Sequence, residues 1–213
     1  MEGILEISTK YGIPVIEDCS HAHGAEWDGI KVGAVGDVGC FSFAGEGQGA
    51  MSVGEGGMIV TDSQEYYERI LICGHLNRRE MVEEFTRPEH RALDKTCLGI
   101  KFRSHALAMG LGQEQLRKVD EVNRMRRKVL AELSAIVEEI PGLSPVTVHE
   151  QATPGGFYGY RLVYDPDELG GLPVETYVEA LQAEGVPVAP CDFPLLHRLP
   201  LFSDGFDLYG GDR

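Results

Sequence analysis

The sequence lacks the long hydrophobic runs and the positive charge that membranes and nucleic acids require of their partners. No apolar run approaches the roughly 18 residues that span a bilayer, and the first residues, MEGILEISTK, do not have the basic and then apolar layout of a signal peptide. The 213 residues include 19 lysines and arginines against 34 aspartates and glutamates, a formal net charge of −15. Because nucleic acids and anionic membranes favour basic surfaces, we expect a soluble, cytoplasmic protein without either partner.

Paired cysteines are absent as well. The five cysteines are odd in number and widely scattered, and no two of them form a CxxC motif. This distribution argues against a disulfide framework or a zinc site and favours buried thiols in the cytosol. His21 and His23 form an HxH pair, but without a third ligand at a recognisable spacing they indicate a metal only weakly, and we expect no metal site. The cysteines are Cys19, Cys40, Cys73, Cys97 and Cys191.

What the first half of the sequence does contain is an alternation of helical and strand patterns. Residues 3–11 predict a short helix, and residues 13–16 predict a buried strand with Glu17 and Asp18 at its carboxyl end. Helix, tight turn and buried strand in this order indicate an α/β layer. Two more short strands and a helix follow, and then a long polar loop; they are predicted at 39–43, 57–61, 64–72 and 73–98.

The second half begins with one long helical pattern, over residues 104–140, which ends at Pro141. A helix of this length usually links two domains, and Gly110 and Gly112 near its start favour a kink or break there. The patterns that follow indicate a smaller α+β unit. They predict strands at 157–164 and 186–188 and a helix at 174–183 that Pro173 opens.

Two features of the first half have the chemistry of a binding site. Asp18 stands where open α/β sheets place their ligands, although an isolated acid at that point is also a common loop or cap residue. The segment 45–57, GEGQGAMSVGEGG, concentrates glycine but matches neither a phosphate-binding P-loop nor a dinucleotide-binding GxGxxG motif. From composition alone it is a mobile loop or a ligand loop.

Three motifs in a fixed order resemble the DegT/StrS-type sugar aminotransferases, a family of fold-type-I enzymes that depend on pyridoxal 5′-phosphate (PLP). They are VIEDCSHAHGAEWDGIKVGAVGDVGCFSF, then GEGGMIVT, then LGIKFRSHALAMGLGQEQLRKVDEVNRMRR, and the resemblance runs from residue 1 to about residue 202. It implies an α/β fold with a partial large domain, a mixed and mostly parallel sheet, a long linking helix and a small α+β domain. We place the large domain, including the helix, at 1–140 and the small domain at 141–213.

The resemblance assigns cofactor contacts to four residues of the first motif. Asp18 matches the aspartate under the pyridine nitrogen of PLP, which keeps that nitrogen protonated. His21 matches the residue that approaches the phenolic oxygen, and Ser20 the small residue against the ring face. Ser42 matches the serine that binds the phosphate, although a strand-end hydroxyl bonded to backbone explains this serine equally well.

The third motif extends the site across a dimer. Lys101 aligns with an asparagine that reaches the phosphate of the neighbouring subunit in the family, and a lysine would contact it as a point charge. Arg103 is a candidate contact for the phosphate of a nucleotide-sugar substrate. We therefore expect a homodimer that binds a keto-sugar and an amino donor such as glutamate.

The sequence departs from the family at the Schiff-base lysine. That lysine lies five residues after the serine that corresponds to Ser42, and the position is Gly47 here; counting back from GEGG gives Gly49 instead. No lysine occurs between Lys31 and Lys95. Glycine neither holds the cofactor nor moves a proton, so we expect an impaired catalyst whose catalytic residue is unknown.

Three interpretations of function follow from the resemblance. The first is amino transfer to a keto-sugar or keto-cyclitol, the activity of the family. The second, which Gly47 favours, is a non-catalytic PLP-fold partner or regulatory homologue. The third is a gene fragment, since the resemblance begins inside the family's large domain and stops before its last strand and helix.

Overall fold

The computed structural model describes residues 1–45, 51–74, 85–93, 101–190, 193–203 and 205. Their contacts divide the chain into two compact units: residues 1–139 together with 145–162, and residues 140–144 together with 163–213. The two domains expected to meet at residue 140 stay a prediction. In the contact-based division, residues 145–162 belong to the first unit, although they follow residue 140 in the chain.

The first unit is built from five helices and six short strands. The helices are α1 (Glu2–Tyr11), α2 (Gln64–Gly74), α3 (Pro88–Arg91), α4 (Ala106–Leu116) and α5 (Val119–Val137). The strands are β1 (Ile16–Asp18), β2 (Glu26–Trp27), β3 (Ile30–Lys31), β4 (Val38–Ser42), β5 (Gly57–Val60) and, after strand β6 of the second unit (Leu143–Pro145), β7 (Ala152–Thr153). These counts cover the described ranges alone.

The central sheet has the strand order β1–β4–β5 and is mixed. Strand β1 runs parallel to β4, with Asp18 opposite Cys40, and β5 runs antiparallel to β4, with Gly57 opposite Ser42. The sheet is mixed, as predicted, with one parallel and one antiparallel pair among its described strands. The arrangement brings the carboxyl ends of β1 and β4, and so Asp18 and Ser42, to the same edge, where α/β sheets carry their ligands.

The first strand lies later in the chain than predicted and is not buried. Pro14 has no N–H to donate, and the carboxylate of Asp37 accepts the N–H of Val15 at 2.7 Å, so pairing with β4 begins only at Ile16. Ile13 and Ile16 are 58% and 69% exposed. In the described part of the sheet β1 is an edge strand, which leaves these apolar side chains uncovered.

The long helix predicted over 104–140 is two helices, and the break lies after Leu116 rather than at Gly110 or Gly112. Tertiary contacts set its position. The amide of Gln115 at the end of α4 both donates to and accepts from the backbone of Ser52, at 2.7 Å each. Val119, the first residue of α5, is buried in the core with Phe43 and Met51, and Phe41, Val53 and Met109 pack around them.

The segment predicted as a loop over 73–98 contains the short helix α3 in its described part. Glu68 on α2 is fully buried and holds this helix in place. Its carboxylate accepts hydrogen bonds from the N–H and the hydroxyl of Thr86 and lies 2.6 Å from Nδ1 of His90. Sequence periodicity gave no signal for this contact, since it joins residues 18 and 22 positions apart.

The second unit has a two-stranded sheet of β6 and β8 (Leu162–Tyr164), followed by α6 (Val174–Ala183) and α7 (Pro200–Ser203). Helix α6 has the predicted bounds, with Pro173 as its N-cap residue. The strand predicted over 157–164 shortens to β8, and Phe157, the first residue of the predicted strand, has a φ of 51° and is not extended. Residues 186–188 are irregular instead of a strand; they follow a turn at residues 184–185, and the N–H of Val186 donates to the carbonyl of Leu181.

Throughout the described ranges, no helix is both long and apolar enough to cross a membrane.

Candidate active site

Asp18 is the last residue of β1, and Ser20 fixes its carboxylate. The N–H and the hydroxyl of Ser20 both donate to Oδ1 of Asp18, at 3.0 and 2.5 Å. The hydroxyl bond first and the backbone bond second hold the pKa of Asp18 below its ordinary value of 3.8. At neutral pH the end of this strand therefore presents an oriented, ionised carboxylate.

A cavity of about 320 Å³ is lined by Ser20, the hydrogen-bond partner of this carboxylate, whereas Asp18 itself is not among the described residues that line it. Its volume is within the range of small-molecule sites, roughly 300–1,000 Å³. His21 and Ser42 line it together, as the sequence-based assignment requires, and Ser20 joins them. The other walls come from both ends of the glycine-rich segment and from residues far along the chain: Gly45, Met51, Gly54, Glu55, Gly156 and Tyr158 among them.

The hydroxyl of Ser42 accepts a hydrogen bond from the N–H of Ala44 at 3.2 Å. This bond is the strand-end role that the sequence left open as an alternative. It uses a lone pair of the oxygen and not the hydroxyl proton. Ser42 therefore remains able to donate a hydrogen bond to an anionic group in the cavity.

One face of the His21 imidazole is covered by an aromatic ring. The ring of Tyr158 lies parallel to the imidazole, with the centroids 3.9 Å apart and the planes at 11°. Two glycines permit this approach, since a Cβ on Gly155 would lie 2.5 Å from the backbone of Ala25 and one on Gly156 would lie 2.3 Å from the carbonyl oxygen of His21.

Asn123 on α5 ties the two sides of this contact together. The side chain is 1% exposed; it donates to the carbonyl of His23 at 2.8 Å and accepts the N–H of Gly156 at 3.2 Å. Arg126 on the same helix donates to the carbonyl of Gly156 at 2.9 Å. The segment that carries Tyr158 is thus bonded through α5 to the segment that carries His21.

His23 has a different environment from His21. It is 4% exposed and lies between Phe41 and Phe43, with centroids 5.8 and 6.0 Å away. Burial lowers the pKa of His23, so the ring is neutral at neutral pH. The backbone of Ser42 lies close enough to oppose that shift but lacks hydrogen-bonding geometry, and neither ring nitrogen has a partner among the described residues.

The remaining predicted site residues are not brought to this cavity. In the described structure Lys101 and Arg103 are exposed and do not line it. Their segment is anchored by its backbone, through the bond from the N–H of Phe102 to the carbonyl of Gly74 at 2.8 Å. Gly47 and Gly49, the two candidate lysine positions, lie outside the described residues.

Neither Tyr158 nor Asn123 was predicted as a site residue. Both reach the site through contacts over more than 30 residues; Tyr158 lies outside the three family motifs, and Asn123 lies within the third, where no role was assigned to it. The adjacent glycines at 155 and 156 were the one local signal, because paired glycines mark close approaches of the backbone. Among the described residues no group of three metal-ligating side chains occurs.

Comparisons with known proteins identify the family of the chain. The family model of the DegT/DnrJ/EryC1/StrS aminotransferases matches residues 1–211. The chain is 34% identical over 206 residues to an L-glutamine:2-deoxy-scyllo-inosose aminotransferase of Streptoalloteichus tenebrarius, a match that covers 92% of this chain and 46% of the relative.

Solved structures of similar fold include 3-amino-5-hydroxybenzoic acid synthase, with a TM-score of 0.73 and 25% identity over 94% of this chain and 50% of that one. The GDP-4-keto-6-deoxy-D-mannose-3-dehydratase of E. coli, solved with bound hydrated PLP, has a TM-score of 0.71 and 24% identity over 89% and 49%. The predicted family and fold class are therefore confirmed. The chain spans about half the length of the relatives it matches.

The chain belongs to the DegT/DnrJ/EryC1/StrS aminotransferase family, and its α/β architecture is that of the fold-type-I PLP-dependent enzymes.

Proposed function

We propose that this chain forms the PLP-binding part of an aminotransferase that transfers the amino group of L-glutamine to a keto-cyclitol or keto-sugar. The observation that carries the proposal is the meeting of His21 and Ser42 in one cavity with Ser20, which is hydrogen-bonded to the ionised carboxylate of Asp18. The sequence led us to expect a donor such as glutamate. We now favour glutamine because the Streptoalloteichus relative is named for it.

The chemistry of this set of groups fits PLP. A carboxylate suits a protonated pyridine nitrogen, a hydroxyl donor suits a phosphate oxygen, and an imidazole suits a phenolic oxygen. When bound, PLP supplies an electron sink for bond cleavage at the substrate carbon. Asp18 would hold the proton on the ring nitrogen, Ser42 would bind the phosphate, and His21 would orient the ring through its phenolic oxygen.

The role of Ser20 extends the one expected from the family. In addition to the predicted packing against the ring face, its two hydrogen bonds keep Asp18 ionised and oriented. The carboxylate needs no rearrangement when a cationic group arrives, which favours binding.

None of these residues can replace the Schiff-base lysine. No lysine occurs between Lys31 and Lys95, so this part of the chain supplies no amine to hold the cofactor covalently or to move the proton at the substrate carbon. We propose that the chain binds PLP reversibly and does not turn over by itself. This makes a non-catalytic or regulatory partner of an intact homologue the second candidate function.

Equilibrium dialysis of PLP against the full chain, followed by borohydride reduction and intact mass measurement, tests both proposals. We expect the parent chain to bind PLP and to gain no reduced cofactor on the mutated segment. Gly47→Lys should gain one cofactor mass, and Gly49→Lys should do so if the loop is two residues longer before the lysine position. Gly3→Lys, on the open surface of α1, is the control and should gain none.

Three outcomes separate the candidates. A parent chain that binds no PLP contradicts the proposed function. PLP binding without covalent capture in either lysine variant contradicts our alignment of the loop. Turnover of L-glutamine by the parent at about 1 per second or faster, a rate typical of enzymes, contradicts the claim that the chain lacks its base.

We also propose a cytoplasmic homodimer. Apolar side chains on α1 and β1 are more than half exposed, Ile4, Ile7 and Ile16 among them, and exposed apolar surface of this kind is typical of interfaces. Light scattering at micromolar concentration should give a dimer mass or more, and a monomer would contradict it.

A further inference from the structure

The parallel contact between His21 and Tyr158 joins a predicted cofactor contact to a residue that no motif assigns. Both rings line the cavity. A centroid distance of 3.9 Å and an angle of 11° leave the imidazole little freedom to turn about its χ2 axis without losing the contact. The side chain of an uncovered histidine, by contrast, has a broad range of χ2 values.

The position of Tyr158 is itself fixed from behind. Gly156 has a φ of 77°, a conformation that suits glycine, and its N–H and carbonyl are bonded to Asn123 and Arg126 of α5. Phe157 follows with a φ of 51°, in a region that non-glycine residues seldom occupy. Backbone held in an uncommon conformation by surrounding contacts is a recurrent feature of ligand sites.

We propose that Tyr158 is a positioning residue that holds the imidazole plane of His21 in register with the phenolic oxygen of the cofactor. The inference rests on the proposed function, because it concerns how PLP is bound. Tyr158 acts through His21: its ring limits the rotation of the imidazole, so that the hydrogen bond to the phenolic oxygen forms without first ordering the side chain. Preorganisation of this kind strengthens binding by lowering its entropic cost.

Two ligands distinguish a positioning role of Tyr158 from a role in packing alone. PLP carries the phenolic oxygen, whereas its 3-deoxy analogue has a hydrogen in that place, and parent and variant are compared on each ligand separately. Tyr158→Leu removes the flat ring and should raise the dissociation constant of PLP up to about tenfold, the measured scale of one aromatic pair. The dissociation constant of the 3-deoxy analogue should not change. Tyr158→Phe keeps the ring and should bind both ligands like the parent.

Tyr160→Leu is the matched control. Tyr160 lies two residues further along the chain and bonds Ser134 at 2.8 Å, away from His21. Its replacement should leave the ratio of the two dissociation constants unchanged. In the ligand-free chain, the NMR signal of His21 Hε1 should carry a ring-current shift that disappears in Tyr158→Leu and persists in Tyr158→Phe.

Each result decides a separate point. If the parent chain binds PLP and Tyr158→Leu binds it equally well, the positioning role is overturned while the proposed function stands. If Tyr158→Leu weakens PLP and the 3-deoxy analogue to the same extent, Tyr158 shapes the cavity and does not act through His21, which also overturns the inference. If the parent binds neither ligand, both proposals are overturned together.

Discussion

The loop over residues 18–24 and the segment over 101–105 were both expected to contact the same cofactor, yet the structure holds them in opposite ways. In the loop, Ser20 anchors Asp18, Tyr158 covers His21, and Asn123 bonds the backbone of His23. In the segment all five side chains are exposed, and Phe102 is 76% exposed.

This difference indicates two ways to build a binding group. The loop is preorganised by its own unit, so its contribution to affinity is present before a ligand arrives. The segment is anchored through its backbone but carries exposed charged side chains, and an exposed charge contributes little until a partner surface orders it. Substitutions in or behind the loop should remove its preorganisation, and substitutions in the segment should reveal its dependence on a partner.

Breaking the link through Asn123 should have the largest effect. Asn123→Ala removes two hydrogen bonds and leaves the carbonyl of His23 and the N–H of Gly156 unpaired in a buried site. We expect the free energy of unfolding to fall by about 2–3 kcal/mol, measured by urea denaturation. Arg124→Ala, which breaks only an exposed ion pair with Glu121 on α5, should lower it by a small fraction of that amount, and equal stability of the two variants would contradict the bridging role.

Loss of the carboxylate should have the next largest effect. Asp18→Ala should weaken PLP binding by at least about 2 kcal/mol, close to 30-fold, because a charge-assisted bond to the ring nitrogen is lost. Equilibrium dialysis measures the change. Asp62→Ala removes an exposed acid beyond the end of β5 and serves as the control. An unchanged dissociation constant in Asp18→Ala would remove Asp18 from the site.

The features that the sequence predicts well are those set by residues close together in the chain or by the order of the elements. Helix α6 has its predicted bounds because both signals for it, Pro173 at its start and the apolar period along it, depend only on residues close together in the sequence. Asp18 and Ser42 reach one edge because parallel strands align their carboxyl ends, a rule that needs only the order of elements. Local signals were sufficient for these features.

Features set by distant contacts were predicted wrongly or missed. The position of the break between α4 and α5 is set by two tertiary contacts, the hydrogen bond of Gln115 to Ser52 and the packing of Val119 against Phe43. Gly110 has open space around it, so no contact requires a break there. The stack of Tyr158 on His21 depends on α5, whose distance from both residues along the chain hides the contact from any periodicity.

Loss of the Ser20 hydroxyl should have a smaller effect, which appears as a change in the pKa of Asp18. Ser20→Ala removes the strongest cause of the lowered pKa of Asp18, so the carboxyl should titrate at higher pH, nearer 3.8, in a carbon-13 NMR titration. A lowered pKa in the folded state contributes stability above the unfolded value and loses it as the pH falls through the folded value. The stability difference between parent and variant should therefore vanish below the folded pKa of Asp18. Ser20→Thr keeps the hydroxyl and should titrate like the parent.

The smallest effect should come from the segment, and it should depend on chain concentration. At a dilution at which the chain is monomeric, Lys101→Ala should leave PLP affinity unchanged, because in the described structure Lys101 does not line the cavity of its own unit. At concentrations at which the chain is dimeric, the same change should weaken PLP by up to about 1 kcal/mol, the usual value of an exposed ion pair. Pyridoxal, which lacks the phosphate, should be unaffected at either concentration, and Arg103→Ala should leave PLP affinity unchanged in both. A loss of affinity in the monomer would mean that Lys101 reaches the phosphate within its own chain, and the contrast between a preorganised loop and a partner-dependent segment would then be wrong.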